Sequence, residues 1–158
     1  MTGTATLDWD DRYLVGLRSI DESHHEFTAA VSALLGAEDA AVAAALGALA
    51  QHLEAHFGHE DRLMEKFGFP PRECHADEHG KVLASVREVQ ALVAAGNFEI
   101  GRDIARALAD WFPGHVDYMD SALAAWIVKK TSNGAPVVVR RASKTPRADA
   151  PDRRDLSL

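Results

Sequence analysis

Apolar and polar residues recur with a helical period along most of this chain. From about Ser19 to Leu35, the positions Ile20, His24, Phe27, Val31 and Leu34 fall at spacings of three and four, which predicts a helix with one buried stripe. A second stretch has Asp39 as a candidate N-cap, passes through the alanine-rich segment 40–50 and reaches about Phe67, where Gly68 supplies a stop. Alanine is a strong helix former, so that run needs no functional explanation. Pro70 and Pro71 open a third helix, which ends at Ala94 or Ala95 ahead of Gly96-Asn97. A fourth covers roughly Phe98 to Lys130, with Pro113-Gly114 inside it predicting a kink or break. Four helices with short links predict an all-α, up-down-up-down antiparallel four-helix bundle over residues 1–130. Within it, residues 1–18, with Trp9, Tyr13, Leu14 and Leu17, read as an apolar N-terminal arm covering the bundle.

Composition refines this picture without changing it. At 158 residues, 47% hydrophobic and 26% charged, the chain suits one globular domain rather than a disordered one. The net charge of -7 argues against a body that binds nucleic acid or an anionic membrane. Residues 129–158 hold eight Lys or Arg against three Asp, a net of +5, which leaves -12 for the rest. The segment 131–158 also carries Pro136, Pro146 and Pro151 and no aromatic residue, so it reads as a basic, largely disordered C-terminal tail. Its rival readings are contact with nucleic acid, membrane or an acidic partner, or docking of Val137–Val139 on the bundle. A single cysteine, Cys74, excludes an intrachain disulfide and favours a reducing compartment. With no basic start, no apolar leader and no membrane-length apolar run, a cytoplasmic protein is expected, with a monomer favoured.

The candidate chemistry lies in the histidines and acids. His56 and Glu60 share a face of the second helix, and His75 and His79 share one on the third. On the fourth, His115 and Asp120 are five apart, about 140° from a common direction in an ideal helix, which requires a long reach or a local distortion. His24 is in phase with Phe27 and Val31 and faces inward; His25 is one residue off that direction. His52, His56, His59 and Glu60 fall within one arc, so His52 or His59 could replace one of the chosen donors. Each histidine alone could be a packed core residue or a solvated one. Together they would bury several imidazoles and two carboxylates in one bundle, and a bound cation is the direct compensation.

These residues carry a resemblance to a known family. Ile20-Asp21-Glu22-Ser23-His24, His56-Phe57-Gly58-His59-Glu60-Asp61-Arg62-Leu63-Met64, His75-Ala76-Asp77-Glu78-His79, and Trp111 with His115-Val116 and Asp120 occur in that order and resemble a bacterial hemerythrin. Trp9 and Val15-Gly16 are similar to that family's N-terminal arm, so the likeness spans roughly residues 7–130 and omits the tail. Ser23 stands where the family usually has glutamine, His52 where it often has tyrosine, and Pro113 is a departure inside the last motif.

The resemblance implies a non-haem di-iron protein that reversibly binds dioxygen for storage, delivery or sensing, rather than an enzyme. His24, His56, His75, His79 and His115 would be terminal ligands. Glu60 and Asp120 would bridge two iron ions (Fe2+/Fe3+) together with an oxo or hydroxo group, and His25, His52 and His59 would not ligate. The iron held by His75, His79 and His115 would be six-coordinate. The one held by His24 and His56 would be five-coordinate and would take dioxygen as hydroperoxide, in a pocket lined by Phe27, Phe57, Leu63, Leu83 and Trp111. Nitric oxide and peroxide are the other small partners implied. A di-iron peroxidase or nitric-oxide-handling enzyme, and a redox-responsive interaction module, are the alternatives. A histidine-rich donor set suits iron but also zinc, cobalt or nickel, and seven donors exceed what a closed structural zinc site needs. Cys74, next to His75, reads as an incidental thiol.

Overall fold

The computed structural model describes residues 6–132. Its helices are α1 (Arg18–Leu35), α2 (Asp39–Lys66), α3 (Arg72–Ala94), α4 (Phe98–His115) and α5 (Ser121–Thr131). Residues Val116–Asp120 between α4 and α5 form a π-helical turn, and the backbone stays helical through the junctions, so the three pieces make one rod. α1 packs on α2 and on α4, and α3 packs on α2 and on α4. The short links make neighbours antiparallel, and the result is the expected four-helix bundle.

Two helix ends are set where the chain turns left-handed, at Gly68 (φ 60°) and Gly96 (φ 100°), a conformation that glycine adopts without a Cβ penalty. The start of α2 differs from expectation. Glu38 takes the cap position, and Asp39 is already helical, its carboxylate meeting Arg102 at 2.6 Å. The fourth rod differs more. Pro113-Gly114 does not break it; α4 continues through both residues, and the irregularity falls on the next turn. There the Ser121 N–H reaches back five residues to the Val116 carbonyl, the bonding pattern of a π turn.

The arm lies on the bundle as expected, with one short turn at Asp11–Tyr13. Tyr13, Val15 and Leu17 are buried, whereas Leu14 is only half-buried. Asp21 anchors the arm's end by accepting from the Val15 and Gly16 N–H groups at 2.7 and 3.2 Å. Leu7 exchanges two 2.9 Å bonds with the Ser32 hydroxyl. The expected tail character of 133–158, including docking of Val137–Val139, and the first five residues of the arm lie outside the described residues.

The core has an apolar half and a polar layer. Val31, Leu34, Val42, Leu49, Val86 and Leu108 fill one end of the bundle. The histidines and carboxylates occupy the next layer, and Leu17, Leu63, Met64, Phe69, Leu123 and Ile127 close the bundle beyond them. The polar groups therefore sit in the interior with apolar packing on both sides. No helix among the described residues is long and apolar enough to cross a membrane.

Candidate metal centre

Each rod contributes to the polar layer. α1 supplies His24, α2 supplies His56 and Glu60 one turn apart, α3 supplies His75 and His79 one turn apart, and the fourth rod supplies His115 and Asp120. The π turn resolves the awkward five-residue spacing. One extra residue in that turn brings Asp120 under His115, with the His115 Nε2 3.0 Å from the Asp120 Oδ1. All seven side chains are buried, and Glu60 and Asp120 are fully so.

The geometry has a common polarity. Every imidazole turns its Nε2 toward a carboxylate: His24 to Asp120 at 2.9 Å, His56 to Glu60 at 3.2 Å, and His79 to Glu60 at 3.2 Å. His75 lies between both carboxylates, 3.4 Å from Glu60 and 3.1 Å from Asp120. Four of the five rings hold their outer Nδ1 with a second group. His24 donates to the Tyr13 carbonyl at 3.0 Å, His79 to Asp61 at 3.1 Å and His115 to Glu78 at 3.2 Å. Ser23 Oγ lies 2.7 Å from the His56 Nδ1. Pinning the outer nitrogen fixes tautomer and ring orientation and leaves Nε2 facing inward as a donor.

The inner atoms are poorly matched to one another. Both Glu60 oxygens, the Asp120 Oδ1 and the Nε2 atoms of His75, His79 and His115 have no properly aligned hydrogen-bond partner, and neither does the His75 Nδ1. Buried polar atoms in folded proteins are nearly always paired, and each one left unmatched costs about 1–3 kcal/mol. A cluster whose electron-pair donors all point at the same interior volume is what a cation would satisfy. These atoms divide into two overlapping groups that could each hold a metal ion, one of Glu60, His75, His79, His115 and Asp120, the other of His24, His56, Glu60 and Asp120. Glu60 and Asp120 belong to both, so this buried cluster fits a metal site.

Electrostatics in the metal-free protein follow the same arrangement. Burial and the charge of Asp120 push the Glu60 carboxyl up, but His56, His75 and His79 outweigh them and hold it at about 2. Burial works against charge on His75, yet Asp120 and Glu60 lift it to about 9. His24 and His115 are also raised against burial, both by Asp120 and Glu60. Burial dominates at His56, which is lowered to about 4. Without a cation, the layer balances its two carboxylates with protons on selected imidazoles.

The remaining histidines stand apart from the cluster. His52 packs parallel to the His56 ring and lies 3.5 Å from Glu26, His59 meets Ser19 at 3.1 Å, and His25 stacks on Trp9 with ring centroids 3.3 Å apart. Cys74 is exposed and outside both donor groups. A narrow space beside the cluster is bordered by Phe27, Leu53, Phe57, Trp111 and Phe112, together with His56, His115 and Asp120. Leu63 and Leu83 do not border it: Leu63 is buried in the closing layer, and Leu83 is only partly buried against the core. Leu53 and Phe112, which do, were missed because helical phase marks them only as core.

Sequence reasoning also missed the supports. Glu78 sits beside His79 in sequence but serves His115 and Trp111, accepting the Trp111 Nε1–H at 2.7 Å. Asp61 follows Glu60 but holds His79 of another helix. No local signal marks either role, because the partner lies on a different rod. Replacing Glu78 with alanine is expected to weaken metal affinity about 10–100-fold. Chelator competition against Glu73→Ala, a nearby acid with no contact to the cluster, measures this; equal affinities would show that Glu78 does not support His115.

Comparison with known proteins agrees with the geometry. Residues 15–127 match the Hemerythrin HHE cation binding domain. The chain is 36% identical over 124 residues to a bacteriohemerythrin of Ralstonia nicotianae, covering 78% of this chain and 90% of that protein. It is 27% identical over 124 residues to a bacteriohemerythrin of Stenotrophomonas maltophilia, covering 76% and 80%. With four rods, a shared pair of buried carboxylates and a matching span of this length, the chain belongs to the hemerythrin family.

Proposed function

We propose that this protein holds two iron ions and binds dioxygen reversibly, for storage, delivery or sensing. The reading rests on one observation: five buried imidazoles from four rods aim Nε2 at two carboxylates common to both donor groups. When bound, the iron pair would lend two electrons to dioxygen and recover them on release.

The protein's own residues set the conditions for that cycle. Glu60 and Asp120 would bridge, with His75, His79 and His115 at one ion and His24 and His56 at the other. The second group has four donors against five in the first, which supports dioxygen binding on the side that His24 and His56 would hold. The apolar walls from Phe27, Leu53, Phe57, Trp111 and Phe112 limit water beside that position. Dry walls slow the delivery of protons that would turn reversible binding into irreversible oxidation. The body of the protein, residues 1–130, would act as a unit in the cytoplasm, and the absence of a cysteine pair accords with that compartment.

Anaerobic loading with ferrous iron, followed by stepwise addition of dioxygen, tests the reading. The expected result is two irons per chain and a visible spectrum that develops with oxygen and disappears on its removal over repeated cycles. A single irreversible bleach to the ferric form would sink the carrier reading and favour turnover chemistry at the same site. Fewer than two ferrous ions bound per chain under anaerobic loading would sink the di-iron assignment.

A further inference from the structure

A groove of about 730 Å³ runs between α3 and α4, outside the metal centre. Val82, Ile104, Leu108 and Trp111 make its apolar floor, and Glu73, Asp77 and Glu78 line it with acid against one base, Lys81. Glu73 and Asp77 have no ion-pair partner among the described residues, so their charge faces outward uncompensated. An apolar floor beside an acidic edge fits an extended segment that carries both apolar and basic residues.

The chain itself contains such a segment. Residues 133–147 carry Val137-Val138-Val139, then Arg140, Arg141, Lys144 and Arg147, with no acidic residue among them. We propose that this segment docks in the α3–α4 groove of its own molecule.

The reach is right. Ser132, the last described residue, is twelve residues beyond Asp120, roughly 18 Å of helical rise along the rod. The near end of the groove, at Glu73 and Cys74, lies next to His75, whose ring is 3.1 Å from Asp120. A chain that turns back from Ser132 recovers that distance in roughly five or six extended residues. Val137–Val139 then reach the near end of the groove at Cys74, and Arg140 and Arg141 follow along its acidic side, at Asp77 and Glu78. The valines cover the entrance, and the basic residues meet the acidic side. Trp111 is also stacked on the His115 ring at 4.3 Å, so a docked segment would cover the outer wall of the polar layer. The docking itself stands independently of which metal the centre holds.

Cys74, the only thiol in the chain and a member of the groove wall, reports occupancy directly. The test compares the rate of its alkylation by iodoacetamide in the full-length protein and in the full-length R140E/R141E double variant. In the wild type, the rate is expected to be at least several-fold slower, to rise toward that of the variant in high salt, and to be independent of protein concentration. Equal rates in both proteins at low salt would overturn the proposal. Protection that grows with protein concentration would also overturn it, assigning the groove to a second copy. Slow alkylation in both would place the protection in the bundle and likewise sink it.

Discussion

Replacing Glu60 with alanine is expected to reduce the metal content from two ions per chain to one or none. Glu60 is shared between the two donor groups, and its oxygens lie within 3.4 Å of His56, His75 and His79. Removing it would strip a donor from both ions at once, leaving His56 and His79 without their carboxylate and His75 with Asp120 alone. The loss also reaches the fold, since metal binding and folding draw on the same free energy. A cation bound only by the native state stabilises it by mass action, and a loss of several kcal/mol lowers the melting midpoint of a domain this size by on the order of 10 °C. Asp120→Ala should behave alike, because Asp120 faces His24, His75 and His115. Elemental analysis with calorimetry on both variants decides the matter. Two full equivalents of metal in either one would remove the shared-carboxylate assignment.

Stripping the metal from the wild-type protein is expected to expose a strong pH dependence that the loaded protein lacks. In the metal-free form, the Asp120 and Glu60 carboxylates outweigh burial to raise His75 to about 9, above the value of 6.5 it takes when exposed. A histidine raised on folding stabilises the native state fully below about pH 6.5, and the contribution is lost as the pH climbs through 9. His24 and His115, also raised, act in the same direction. His56 works oppositely: burial lowers it to about 4, so it destabilises the fold as the pH drops from 6.5 to 4 and is silent above. Glu60, held at about 2, contributes above pH 4.5, and that contribution fades as the pH falls through 2. Between pH 6.5 and 9, then, nothing in the layer offsets the loss at His75.

Metal binding runs the other way, because ligating imidazoles must shed their protons and affinity therefore rises with pH. The gap in melting temperature between loaded and stripped protein should widen steadily from pH 6.5 to 9. Melting curves of both forms at pH 6.5, 7.5 and 9 provide the check. A constant gap would mean that the imidazoles of the stripped layer are already neutral at pH 6.5, contrary to their placement around two carboxylates.

The hydrophobic period along the chain was sufficient to read four rods, and the short links between them gave their antiparallel order. Gly68 and Gly96 marked helix ends from sequence because few other residues tolerate a left-handed backbone there. Helical phase alone placed His56 with Glu60 and His75 with His79, and put His24 inward. It left His52 and His59 as competitors for a place in the cluster, because direction on a single helix does not say what stands opposite. The packing sends His59 to Ser19 and His52 to Glu26, away from the two carboxylates.

Three features were decided by the tertiary structure alone. The backbone between His115 and Asp120 takes a π turn, which no residue in Val116–Asp120 demands by its own propensity; an ideal helix would have set those two side chains apart. The groups that hold the outer nitrogens, Ser23, Asp61, Glu78 and the Tyr13 carbonyl, are assigned to their histidines by contacts between different helices, or between helix and arm. The walls beside the cluster, with Leu53 and Phe112 in and Leu63 and Leu83 out, depend on how deeply each rod is set against its neighbours. Sequence periodicity records the direction a side chain takes from its own helix axis. The distance to a partner on another axis is a property of the packed molecule, and the chemistry of the metal centre depends on that distance.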